Sequence, residues 1–424
     1  MNTPHRDRRG LVFVTAFTMV VLPLVALVFE ARASRSDPRR VHAAAILIDG
    51  HNDIPQAMLD DGFDLAEDGR GRYDTDLDRL AAGGVTGVYF SIWVDPGLRK
   101  KGKDYAPRAR ALIAAVRSAV ERHPDRMLLA TTAAEVRRAK VEHRLAALLG
   151  LEGAHALEGR FANLAEFHAA GVRYVTLTHT NSNEFADSAG SWRETSPARL
   201  AALRVNGGLS PAGRELVAEM NRLGVLVDVS HVSDETLAQV LEVSRAPVIA
   251  SHSSARALAD VRRNIPDALL AGIGANGGVV MVNFYSGFLD TRKRTDLEAW
   301  IQLQGATEVE ALAAHGHGED YARALYQRLR YGTQPAAALD RVLDHIEHVA
   351  RVAGVEHVGL GSDYDGSILP PAELEDVSQF PRVTAGLMRR GWTPEAVKKV
   401  LGENTLRVME AAERAGASAT VAKR

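Results

Sequence analysis

Side chains able to hold a cation or move a proton recur where short apolar runs end. His51 and Asp53 stand two apart in Asp49-Gly50-His51-Asn52-Asp53, and Glu152 closes Leu148-Leu149-Gly150-Leu151. His179, His231 and His252 close three further runs, and Asp363 and Asp365 follow a last one. Residues i and i+2 of an extended chain face one side, so His51 and Asp53 can offer a nitrogen and an oxygen to the same cation. A carboxylate behind an apolar run is costly to bury unless a positive charge compensates it. Glu152 is therefore read as a ligand, and its two oxygens can bridge two metals. Neutral imidazoles such as His231 and His252 suit zinc. The chain has no cysteine, which excludes disulfides, thiolate nucleophiles, Cys-ligated zinc and iron–sulfur clusters. Any metal is left to the 15 His and the carboxylates.

Eight strand-like runs must position these groups: Ala45–Asp49, Gly87–Trp93, Ala146–Glu152, Val172–His179, Val225–His231, Pro247–His252, Gly278–Tyr285 and His357–Asp363. Continuous apolar runs of this length suit strands buried on both faces of a parallel sheet. Helical patterns separate most of them, among them Pro107–Arg122, Pro211–Leu223, Asp234–Val243 and Ala336–Ala353. This alternation predicts an α/β fold, a (β/α)8 TIM-like barrel, with an open doubly wound sheet as the alternative. Six of the eight runs lead into a metal- or proton-competent residue, at the rim where such barrels keep their active sites. Gly272-Ile273-Gly274-Ala275-Asn276-Gly277 fits a dinucleotide fingerprint, but it precedes a strand and is read as a helix end and turn. The pairs His315/His317 and His345/His348 are read as surface features, and the role of His155 is left open. The stretch from Ser286 to about Pro335 is an insertion between the last two strands, open to being a lid, a dimer contact or extra helices.

Composition agrees with an ordinary globular protein. The 424 residues are 46% hydrophobic and 25% charged, with a formal net charge of −2, which argues against nucleic acid as a partner. Arg6, Arg8 and Arg9 precede an uncharged run from Leu11 to Phe29, the pattern of an export signal, with Ala31-Arg32-Ala33 as a cleavage site. The run approaches the roughly 20 residues that span a bilayer, so an uncleaved membrane anchor is the alternative outcome. Residues 1–40 are thus set apart as signal or anchor plus linker. Residues 41–415 form the barrel and 416–424 a polar tail.

Taken together, Asp49-Gly50-His51-Asn52-Asp53, Glu152-Gly153, Leu177-Thr178-His179-Thr180-Asn181, Asp228-Val229-Ser230-His231, Ser251-His252-Ser253-Ser254, Arg262-Arg263-Asn264 and Gly359-Leu360-Gly361-Ser362-Asp363-Tyr364-Asp365-Gly366 resemble the membrane dipeptidase (renal dipeptidase) family. The resemblance implies a hydrolase holding two zinc ions. His51 and Asp53 would bind one, His231 and His252 the other, and Glu152 both. It further implies that His179 contacts the substrate and the developing oxyanion, Arg263 grips the substrate's carboxylate, Asp363 handles the proton, and Tyr285 adds a substrate contact. The implied substrates are dipeptides with a free C-terminal carboxylate, including those with a D- or dehydro-residue on that side. A homodimer is compatible with it. The sequence departs from animal relatives in lacking cysteines and a C-terminal apolar tail. A tryptophan expected in the loop Asn181–Asp187 is also replaced, which bears on substrate preference. The competing readings are another two-metal barrel hydrolase, acting on a cyclic amide, lactone or phosphoester, and an exported binding protein without activity.

Overall fold

Nine parallel strands carry the architecture: β1 (Ile48–Asn52), β2 (Gly87–Trp93), β3 (Met127–Leu129), β4 (Leu145–Glu152), β5 (Val172–Thr176), β6 (Leu226–Asp228), β7 (Ile249–Ala250), β8 (Val279–Val282) and β9 (Val358–Leu360). The computed structural model describes residues 37–191, 196–292 and 336–421. Eight strands close in the order β1-β2-β4-β5-β6-β7-β8-β9, with β9 back on β1. The result is the (β/α)8 barrel expected from the alternation. The short β3 is unforeseen. It lies outside the ring on β4, with Met127–Leu129 opposite Leu145–Ala147. The apolar leader around 11–29, His315, His317 and most of the 286–335 insertion lie outside the described residues. Among the described residues, no helix is long and apolar enough to cross a membrane.

The ring is filled in layers, because every second residue of a strand points inward. Tyr89, Leu148, Tyr174, Leu226, Ile249, Val279 and Met281 form an interior apolar cluster. The helix Asn404–Val421 adds Leu406, Met409 and Ala412 to that cluster. Two residues further along the strands, the inward positions turn polar: Tyr89 is followed by Ser91, Leu226 by Asp228, Ile249 by Ser251 and Met281 by Asn283. In β4 the series runs Leu148, Gly150, Glu152. Gly150 has to be glycine, since a Cβ there would lie 2.0 Å from the ring of Tyr174.

Several strands are shorter than the runs that forecast them, so His179, His231, His252 and Asp363 sit on the first residues beyond strand ends. β1 is instead displaced forward from the expected Ala45–Asp49, because pairing with β2 carries it through Asn52. The register breaks between Asp49 and Asn52. With Ile48 inside the ring, strict alternation would place Gly50 and Asn52 inward. The break brings His51 in instead.

The expected helices are present, with bounds of Tyr105–Arg122, Pro211–Leu223, Asp234–Val243 and Leu339–Ala353. Gly272–Gly277 is the end of the helix Asp267–Asn276, closed by Gly277 at φ 82°, as the turn reading requires. His345 and His348 overturn their surface assignment. Both are buried on the inward face of Leu339–Ala353. His345 accepts from the Ala255 amide (3.0 Å) and reaches the Leu289 carbonyl (3.1 Å), while His348 meets Asp267 at 2.7 Å. His155 is buried too, with Nε2 2.8 Å from the Val94 carbonyl.

Burial pushes the His345 imidazole down to about 4. The folded protein therefore refuses a proton that the unfolded chain accepts below about 6.5. Stability from this group is complete above that pH and is lost as the pH falls from 6.5 to 4, by on the order of 3 kcal/mol. His345→Gln should flatten this part of the pH–stability curve in urea melts. Parallel curves for the variant and the unaltered protein would refute the assignment.

Candidate metal centre

Seven strand-end groups converge on one point at the barrel mouth. His51 Nε2 lies 3.4 Å from Asp53 Oδ2 and 3.3 Å from Glu152 Oε2. The other oxygen, Glu152 Oε1, is 3.1 Å from His231 Nε2, 3.7 Å from His252 Nε2 and 3.9 Å from His179 Nε2. His231 and His252 face each other through their Nε2 atoms at 2.9 Å. Three donor groups have ligand atoms within 4.8 Å of one another: His51, Asp53 and Glu152; Glu152, His179 and His231; and His51, His252 and Asp363. Glu152 belongs to two of them, one through each oxygen side. His51 Nε2 is buried without a hydrogen-bond partner, although it points at two carboxylates. An unpartnered nitrogen beside buried oxygens, in a donor set of imidazoles and carboxylates, fits a divalent metal.

A supporting layer fixes these ligands. His51 Nδ1 lies 2.8 Å from the Tyr174 hydroxyl, which donates to the Gly50 carbonyl at 3.4 Å and so is placed to accept from Nδ1. This bond leaves Nε2 free for a metal. Ser91 donates to Glu152 Oε2 at 3.0 Å. His252 Nδ1 lies 2.8 Å from Ser251 Oγ, which donates to Asp228 at 2.7 Å. Asp228 also accepts from Thr176 Oγ1 (2.6 Å) and from the Ser230 and Ser251 amides. Asn283 donates to Asp363 Oδ2 at 2.9 Å. Two site residues, His231 and Asp363, hold left-handed backbones at φ 67° and 66°, a conformation retained where surrounding structure enforces it. Gly366 keeps room between the acids: a Cβ there would come within 2.6 Å of both Asp53 Oδ2 and Asp363 Oδ1.

The electrostatics match the geometry. Burial, helped by Arg263 and by neighbouring imidazoles, pushes His179, His231 and His252 well below the ordinary histidine range, so they are neutral at pH 7. Burial also acts on His51, but Tyr174, then Glu152 and Asp53, oppose it and hold that imidazole well above its ordinary value. Burial drives Glu152 and Asp363 upward, most strongly Asp363, against the attraction of His51. Buried carboxyls displaced in this way mark a site built for a positive charge.

Arg263 is buried beside the cluster, donating to Ser253 Oγ and the His252 carbonyl, each at 3.2 Å. Its guanidinium sits 5.3 Å from the Phe288 ring, against which Tyr285 packs at 4.8 Å. Burial brings it down to about 10, still protonated at neutral pH. Asp365 is the strand-end group that does not join. It turns to the loop of Asp74, accepting from that amide at 2.7 Å. Sequence reasoning passed over Tyr174, Asp228, Asn283 and Trp93. The signal for Asp228 and Asn283 was available: each is the inward residue at the step where its strand series turns from apolar to polar.

A parallel barrel with a carboxylate shared between histidine sets at its C-terminal rim is the architecture of a metal-dependent hydrolase. The chain belongs to the membrane dipeptidase family (peptidase family M19), whose sequence model matches residues 35–423. This places it among the metallo-dipeptidases. It is 34% identical over 403 residues to dipeptidase verJ of Clonostachys rogersoniana, covering 92% of this chain and 90% of that one. Among solved structures it resembles PvdM of Pseudomonas aeruginosa, described as a probable dipeptidase, with a TM-score of 0.75 and 26% identity. That match covers 91% of this chain and 99% of PvdM. A metallopeptidase from Rhodobacter sphaeroides, bound to a phosphinate mimic of the dipeptide L-Ala-D-Ala, matches with a TM-score of 0.69 and 26% identity, over 87% and 99% of the two chains.

Tyr174→Phe removes the acceptor of His51 Nδ1 while leaving the ring over Gly150. Metal affinity should fall roughly 10- to 100-fold, measured by chelator competition, with the thermal melt of the metal-free protein little changed. Unaltered affinity would show that the phenol does not set the His51 tautomer.

Proposed function

We propose that this chain is a zinc-dependent dipeptidase that holds two ions and cleaves dipeptides with a free C-terminal carboxylate, D- and dehydro-residues on that side included. The observation that carries this reading is the position of Glu152, whose oxygens face His51 with Asp53 on one side and His231 with His252 on the other. Tetrahedral zinc, with ligands at about 2.0–2.1 Å, sets its ligand atoms roughly 3.3 Å apart. His51 Nε2 is 3.3 Å from Glu152 and 3.4 Å from Asp53, which fits that spacing. The mimic of L-Ala-D-Ala held by the Rhodobacter relative supports the D-residue at the C-terminal side.

When bound, a zinc pair supplies a water of pKa about 7 and polarises the scissile carbonyl. The remaining chemistry belongs to side chains of this chain. Arg263, charged and buried, clamps the substrate carboxylate through two parallel hydrogen bonds. Only a substrate with its carboxylate close to the scissile bond then fits, hence dipeptides. His179, about one-fifth exposed, stands at the mouth beside His231 and donates to the oxyanion as it develops. Asp363, its carboxyl held by Asn283, accepts the proton of the attacking water and delivers it to the leaving amine. We further propose that residues 11–29 export the chain or anchor it facing outward.

Glu152→Gln should lose metal and activity together, whereas His179→Ala should keep its metal and lose kcat by about 100-fold or more. Metal analysis beside dipeptide kinetics separates the two. A pure protein that contains no zinc, and is not activated by adding it, would refute the mechanism. Equal hydrolysis of free and C-terminally amidated dipeptides would favour a hydrolase of carboxylate-free amides instead. Protease treatment of spheroplasts should degrade a periplasmic chain or one anchored facing outward, and full protection there would sink the export proposal.

A further inference from the structure

Trp93 ends β2, directly opposite Glu152 in the β2–β4 pairing. Tyr89 belongs to the interior cluster and Ser91 donates to Glu152, so Trp93, two residues further on, faces the same side. Its indole stands edge-on to His179, ring centroids 5.4 Å apart at 67°. Nε1 is buried and has no hydrogen-bond partner among the described residues. The backbone beneath it is pinned: the Gln56 amide donates to the Trp93 carbonyl at 3.0 Å and accepts from Arg108 at 2.7 Å. An indole N–H is a donor only, and leaving one buried without a partner costs about 1–3 kcal/mol. An unpaired donor at the rim of a reaction centre is satisfied when an acceptor arrives with the substrate.

The barrel's symmetry says which part of the substrate arrives there. Arg263 is anchored to His252 and Ser253, at the end of β7. β2 and β7 lie four strands apart around a ring of eight, on opposite sides of the mouth. A dipeptide whose carboxylate lies against Arg263 and whose carbonyl lies over Glu152 therefore brings its first residue to Trp93. This placement rests on the Arg263 reading given above. Of the acceptors in such a substrate, the carboxylate belongs to Arg263 and the scissile oxygen to the centre. The protonated α-amine accepts nothing. The acceptor left for Nε1 is a side-chain oxygen of the first residue.

We propose that Trp93 is the specificity residue for the N-terminal side of the substrate and favours first residues with an acceptor oxygen, such as Asn, Asp or Ser, over apolar ones of the same size. The test compares kcat/KM for Asn-Gly and Leu-Gly, whose first side chains are nearly isosteric, in the zinc-loaded enzyme and in Trp93→Phe. The unaltered enzyme should prefer Asn-Gly, and Trp93→Phe, which keeps a ring but loses the donor, should reduce the Asn/Leu ratio by roughly 5- to 100-fold. Zinc content should be preserved, and kcat/KM should fall further for Asn-Gly than for Leu-Gly. An unaltered enzyme with no preference for Asn-Gly overturns the proposal without recourse to the variant, as does a variant in which both substrates slow in step. Amidated dipeptides provide the separate control. If they are rejected while the ratio stays flat, the Trp93 inference alone fails. If they are cleaved as well as free ones, the Arg263 anchor fails, and the orientation inferred from it fails too.

Discussion

One buried carboxylate governs this molecule. Glu152 sits among four imidazoles within 3.9 Å, in a place where an uncompensated negative charge is very expensive. Most of what surrounds it follows from the need to make that position tolerable. Three of the imidazoles are held neutral by burial and the fourth, His51, is held well above its ordinary range, so the positive charge nearest to Glu152 falls on the His51 side. The supporting hydroxyls and amides of Ser91, Tyr174, Ser251 and Asn283 fix direction, so each donor atom faces the same small volume. Removing any of them would leave the charges in place and loosen their aim.

The barrel explains how so many polar groups are gathered without disrupting a core. Each strand contributes a short inward series that begins apolar and ends polar, and the rings of the lower layer exclude water from beneath the acids. The lower layer also constrains the upper one. Tyr174 is both an interior core residue and the partner of His51, and it needs Gly150 to make room for its ring. A packing change two residues below the centre would therefore be felt as a change in ligand chemistry.

Much of this was legible in the sequence. Most of the polar residues at the ends of apolar runs do converge, because a parallel barrel brings strand ends together whatever lies between them. The limits of legibility are specific. Alternation alone would have turned His51 outward, and the register break that turns it inward depends on pairing with β2, which only the fold provides. His345 and His348 looked like solvent-facing residues because their helix is rich in charge. Their burial follows from packing against the loops around Ala255, Asp267 and Leu289, remote in sequence. Met127–Leu129 is too short to stand out as a strand, and a tryptophan at a strand end carries no mark of being an unpaired donor.

The seam where the ring closes joins the first strand to the last, with Asp49 accepting from the amide and hydroxyl of Ser362 at 2.7 and 2.6 Å. His51 and Asp53 lie on one side of that seam and Asp363 on the other. During synthesis on the ribosome, some three hundred residues must emerge after the first of these groups before the last can meet it. A fragment ending before β9 therefore lacks both the closing strand and the acid beyond it, and its ring stays open.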